Sequence, residues 1–133
     1  MAERTLTRTL VTPRALPAPR FRYTPVVIAQ GFAFVSGLVG LVPASGTLAT
    51  GGAFGQARQV LENLRAVCEE QGWSLEQLVA ARIYCIDFSE FPDVNRAWEE
   101  CFATVKPPAR TSVGVSALPL GARVEMEFQL VVE

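Results

Sequence analysis

The sequence predicts an α+β fold, one β-sheet with two helices on one face, and three observations predict it. Two segments near the C-terminus alternate with period two, two central segments repeat apolar residues at helical spacing, and apolar strand-forming runs separate them in the order β-β-α-β-α-β-β. With 133 residues the chain supports a single domain spanning residues 1–133, one that buries about two-thirds of its unfolded surface and needs no staples. No internal repeat is present, although the strand and helix alternation is loosely duplicated.

Taken in order, Thr5 to Val11 alternates weakly, and the proline-marked stretch from Pro13 to Pro25 suits an irregular segment lying over the surface. Val26 to Ala29 and Phe32 to Val35 flank Gln30-Gly31, which predicts a tight hairpin. Ser36-Gly37 and Gly40 allow close backbone approach, and Pro43 to Gly46 and Gly51-Gly52 bracket a loop. Ala57, Leu61, Leu64 and Cys68 then recur at helical spacing up to a stop at Gly72.

Ser74 to Gln77 has capping-box form, and Leu78 to Phe88 reads as an interior strand. A second helix follows, with Ser89 as its cap and Pro92 in its first turn. Phe91, Val94, Trp98, Cys101, Phe102 and Val105 share one of its faces, and Lys106-Pro107-Pro108 ends it. The last two strands are Thr111 to Ala117, with Val113, Val115 and Ala117 inward, and Val124 to Val132, with Val124, Met126, Phe128, Leu130 and Val132 inward. Leu118 to Gly121 joins them.

Composition narrows the function classes. Twelve basic and thirteen acidic residues give a net charge of −1, and the basic ones are scattered, so nucleic acid is not the expected partner. The positive mean hydropathy without a long apolar run excludes a lipid-spanning helix and points to apolar surface buried between subunits, a homo-oligomer. Met1 to Val11 carries Glu3, Arg4 and Arg8 and lacks the apolar core of a secretory signal, which predicts a cytoplasmic protein. Cys68, Cys85 and Cys101 fall in helix, strand and helix and are expected as reduced thiols. Histidine is absent, which excludes histidine triads; with no clustered ligands either, no metal or organic cofactor is expected.

The chemistry-bearing stretch is Pro108-Ala109-Arg110-Thr111-Ser112-Val113, followed by Val124-Glu125-Met126-Glu127. It places a cation and a carboxylate on two strands consecutive in sequence. A guanidinium can grip a carboxylate through two parallel hydrogen bonds, and a nearby glutamate can orient a water, the minimum for hydrolysing a small acid. The residues alone leave other roles open. Arg110 can form a surface pair with Glu125 or Glu127, Asn95 can be a helix-edge amide capping a loop carbonyl, and Glu125 is exposed by default unless another subunit covers its face.

These residues resemble the C-terminal signature of the Rid family, the reactive-intermediate imine deaminases also called the YjgF family. Tyr23, Ser36-Gly37, Gln56-Ala57 with Asn63, Asp87-Phe88 with Phe91, and Val94-Asn95 before Trp98 extend the resemblance over about residues 12 to 133. It implies a chorismate-mutase-like α+β fold with a mixed sheet, assembled as a homotrimer with pockets between adjacent subunits. It further implies that Arg110 holds a substrate carboxylate and that Glu125 and the Ser112 carbonyl position a hydrolytic water. Tyr23, Gly37 and Asn95 line the rest. The implied substrate is a 2-imino or enamine acid, converted to a 2-keto acid and ammonia.

Three departures stand out. Ser112 replaces the cysteine of the family's best-studied branch, and Phe21-Arg22 and Pro25 replace a Gly-Pro and a glutamine around Tyr23. Arg22 is therefore expected near the pocket mouth, favouring a larger or doubly acidic substrate. The alternative is a family member that binds a small acid, or hydrolyses another pathway-specific metabolite, in the same arginine pocket. Ribonuclease activity has been attributed to relatives, but no basic groove or histidine pair supports it here.

Overall fold

The computed structural model describes residues 7–133. The expectations for Met1 to Leu6, including Glu3, Arg4 and the start of the first strand, lie outside the described residues. A six-stranded mixed sheet is built from β1 (Thr9–Val11), β2 (Val26–Ala29), β3 (Phe32–Val39), β6 (Leu78–Cys85), β7 (Ala109–Gly114) and β8 (Val124–Val131) in the order β1-β2-β3-β8-β6-β7. Between β3 and β6 come a two-stranded ribbon, β4 (Leu41–Val42) and β5 (Thr47–Leu48), and the helix α1 (Gly52–Gln71); α2 (Phe91–Cys101) connects β6 to β7. β6 and β7 are parallel and the other sheet pairs antiparallel.

The β2–β3 hairpin turns as expected at Gln30 and Gly31, with φ of 54° and 80°, the left-handed pair that a two-residue turn requires. α1 ends where glycine predicts it, since Gly72 has φ 76° and Trp73 donates its N–H to the Cys68 carbonyl at 2.8 Å. Both helices pack on one sheet face. Val60, Leu64 and Val67 of α1 and Val94, Ala97 and Trp98 of α2 close over Val26, Ile83, Met126 and Leu130, each fully buried aliphatic contributing about 1.5–3 kcal/mol.

Two buried amides tie loops to this core. Gln56 accepts the Arg123 N–H at 2.9 Å, and Asn63 donates to the Leu41 carbonyl at 2.8 Å. Gly40 leaves room for this packing, because a Cβ there would stand 2.5 Å from the Gln56 carbonyl oxygen.

Several boundaries differ from expectation. The sixth strand stops at Cys85, because Asp87 rather than Ser89 takes the capping role: its carboxylate accepts the Ser89 N–H and hydroxyl at 3.0 and 2.6 Å. That cap starts a single 3-10 turn, Phe88–Glu90, and α2 begins after it. α2 stops at Cys101, leaving Val105 in the following loop. β7 runs Ala109–Gly114 instead of Thr111 to Ala117, and Val113 is exposed rather than inward. The reason is topological: among the described residues β7 is an edge strand paired only with β6, and nothing there pairs with its outer edge. No helix among the described residues is long and apolar enough to cross a membrane.

Candidate functional site

Arg110 lies in register with buried Ala81 of β6, so its side chain leaves β7 on the helix-covered face. Its guanidinium carbon stands 5.2 Å from the Trp98 ring centre and 5.4 Å from that of Phe91. Each such contact is worth about 0.5–1 kcal/mol at an exposed site. The Nη1 group donates to Asn95 Oδ1 at 2.8 Å, and Asn95 Nδ2 donates to Glu99 at 3.2 Å. A carboxylate does not neutralise Arg110 among the described residues. The group is thus oriented by an amide and two rings while its charge stays available. It borders a cleft of about 380 Å3 with Asn95, Trp98, Phe102, Pro107 and Pro108.

Ser112 follows on the same face of β7, in register with Ile83. Its hydroxyl is shielded from solvent and has no hydrogen-bond partner among the described residues, which costs about 1–3 kcal/mol relative to a satisfied group.

Glu125 belongs to the opposite sheet face. It alternates with buried Val124 and Met126 on β8 and is in register with Tyr84 of β6. With Tyr23, Gly37, Arg20, Leu120 and Glu127 it borders a larger cavity of about 450 Å3. The β3–β8 register shifts between Val35 and Leu38, and a Cβ on Gly37 would stand 2.6 Å from Glu125 Oε2, so the missing side chain at Gly37 makes the space this carboxylate occupies. Burial, and then the like charge of Glu127, raise Glu125 above the usual carboxylate range.

The proline-rich segment forms one wall of this cavity. The Ser36 N–H and hydroxyl donate to the carbonyls of Pro25 and Thr24 at 2.8 and 2.6 Å, which docks the end of the segment on β3. Glu70, near the end of α1, accepts the N–H groups of Arg14 and Ala15 at 3.1 and 2.8 Å and anchors its start.

The six expected site residues therefore fall into two groups. Arg110, Asn95 and Ser112 are on the helix-covered face; Tyr23, Gly37 and Glu125 are on the other, and within one chain β6 separates the strands that carry Arg110 and Glu125. An ion pair of Arg110 with Glu125 or Glu127 is not formed; Asn95 is its partner.

Arg22, expected at the mouth, is exposed and does not border the cavity, whereas Arg20 and Phe21 do. Arg20 donates to the Gly46 carbonyl. Leu120 escaped the residue reading although it sits in a left-handed conformation, φ 60°, at the cavity edge. The proline before it and the glycine after it mark the turn, but nothing in their pattern assigns the strained position to leucine.

Three comparisons bear on this arrangement. Residues 13–132 match the family model described as Endoribonuclease L-PSP. A RutC family protein of Aquifex aeolicus is 39% identical over 122 residues, covering 91% of this chain and 96% of that protein. A 2-iminobutanoate/2-iminopropanoate deaminase of Dermatophagoides farinae is 34% identical over 126 residues, covering 95% and 97%, and one of Bos taurus is 33% identical over 122 residues, covering 92% and 88%. Among solved structures, RidA of an Antarctic Psychrobacter superposes with a TM-score of 0.86 at 32% identity, covering 93% of this chain and 99% of that one.

Proposed function

Because the chain belongs to the Rid family, also called the Ribonuc_L-PSP or YjgF family, we propose that it is a hydrolytic deaminase of 2-imino and enamine acids, working at sites formed between protomers of a homotrimer. The observation that carries the reading is Arg110, held in place by Asn95 and two aromatic rings and left without a carboxylate partner among the described residues. A group so oriented grips a planar carboxylate through two parallel bonds. The deaminase names of relatives at 33 and 34% identity support the choice of substrate class.

The chemistry asks little of the protein. A 2-imino acid is electrophilic at C2. With its carboxylate on Arg110 of one protomer, C2 lies beside a water held by Glu125 of the next and by the Ser112 carbonyl. Glu125 takes a proton as the water oxygen bonds to C2, and the C=N pair moves to nitrogen. The proton then passes to that nitrogen, giving a carbinolamine; Glu125 next takes the hydroxyl proton and delivers it to the amino nitrogen as the carbon–oxygen double bond forms and the C–N bond breaks, so that ammonia leaves a 2-keto acid. Orientation supplies much of the rate and proton handling the rest.

A second reading, a small-acid binder or a hydrolase of another metabolite, is favoured by the cavity wall around Tyr23, where Arg20 and Phe21 stand. One experiment separates them: 2-iminopropanoate and 2-iminobutanoate are generated by an amino-acid oxidase, and residual imine is trapped with semicarbazide. Wild type is expected to accelerate imine loss, and Arg110→Ala to lose about 2–5 kcal/mol in kcat/KM with the fold intact. No acceleration by wild type on either imine favours the second reading.

A further inference from the structure

Glu125 shares its sheet face with a second carboxylate, Glu127, one pleat further along β8. The two are not equivalent. The Tyr84 hydroxyl donates to Glu127 Oε1, and Arg82 is in register with Glu127 across the strand pair, so β6 sets a hydrogen-bond donor and a cation beside this carboxylate. Glu125, in register with Tyr84, receives no side-chain donor among the described residues and lies close against the Gly37 backbone.

We propose that Tyr84 and Glu127 are positioning residues for Glu125: the Tyr84 hydroxyl holds Glu127 as the fixed anion of the pair and leaves Glu125 as the carboxylate that takes up and releases the proton. This rests on the deaminase reading for its use, though not for its physics. Two neighbouring carboxylates whose surroundings push their proton affinities apart divide into a fixed charge and a proton carrier. The raised proton affinity of Glu125, caused by burial and then by Glu127, has the required sign. So does that of Tyr84, raised first by its bond to Glu127, which keeps the phenol a donor. Tyr23 and Arg20 of the proline-rich segment are the other ionisable groups bordering the same cavity with Glu127, and β3 sets Gly37 and Val39, neither of them ionisable, against Glu125.

The test is a carboxyl-carbon NMR titration of side-chain-labelled glutamates in the ligand-free protein, run beside the pH profile of kcat/KM. In wild type Glu125 is expected to take the first proton as the pH falls. Glu127→Gln moves the Glu125 titration and the acid limb of the profile to lower pH. Tyr84→Phe moves the Glu127 titration up toward that of Glu125. A merely structural role lowers activity at every pH and moves neither curve. Glu127 protonating first, or a Glu125 titration unmoved in a folded Glu127→Gln variant, overturns the proposal. Because the titration needs no substrate, shifted titrations in a protein without imine turnover support the pairing and sink the deaminase reading instead.

Discussion

A Cβ placed on Gly37 would stand 2.6 Å from Glu125 Oε2 and 2.8 Å from its carboxyl carbon, so the site of this carboxylate is made by the absence of a side chain on β3. Gly37 is not in the left-handed region, and alanine is compatible with its backbone. Gly37→Ala is therefore expected to fold and to push Glu125 aside. A displacement of about 1 Å at a water-orienting group costs on the order of 100-fold in turnover. The expected outcome is a large fall in kcat, a smaller change in KM and a nearly unchanged melting temperature. Unchanged kcat would show that the position of Glu125 does not matter.

Glu125 also links stability to pH. Burial and the neighbouring Glu127 raise its proton affinity in the folded chain, so the native state binds this proton more readily than the unfolded state. The stability so contributed is present at low pH. It is lost as pH rises from the ordinary carboxylate range through the raised native value, leaving an enclosed anion beside a like charge. Glu125→Gln removes that anion. Its melting temperature is expected to exceed that of wild type at pH 7, the gain shrinking as the pH is brought toward 4. A difference independent of pH would contradict the assignment.

At Ser112 the backbone carbonyl, not the side chain, carries the proposed role. The hydroxyl is enclosed and unpartnered among the described residues, while the proposed water contact is made by the carbonyl. Ser112→Ala deletes the first and keeps the second. Turnover should be retained, with a melting temperature equal to or above that of wild type. Loss of kcat in a folded Ser112→Ala variant would move the role to the hydroxyl.

Much of the fold can be read in the chain, because its signals are local. The Gln30-Gly31 turn, the glycine stop at Gly72, the alternation of β8 and the apolar face of α2 are all short-range patterns. Strand order is not local. Nothing between Ala109 and Val131 shows that β6 inserts between β7 and β8, yet this insertion separates the strands that carry Arg110 and Glu125, and the register of each against β6 puts the two on opposite faces. For the same reason Val113 alternates like a core residue and ends exposed on an edge strand. The roles of Gln56 and Asn63 are long-range too: both stand in the family pattern, and only the packing shows that they hold Arg123 and Leu41. Arg20 and Arg22 have equal claims by position, and the path of the proline-rich segment alone decides that Arg20 borders the cavity.

The central claim is that Arg110 of one protomer and Glu125 of another act on one substrate, and subunit complementation tests it most directly. Arg110→Ala and Glu125→Gln chains, each inactive alone, are unfolded, mixed in equal amounts and refolded, and mixed oligomers are verified by native mass spectrometry. Random assembly around a cyclic trimer leaves about one quarter of the pockets with both wild-type groups, so imine loss should return to about that fraction of the wild-type rate. Mixed oligomers with no recovered activity would contradict a site shared between protomers.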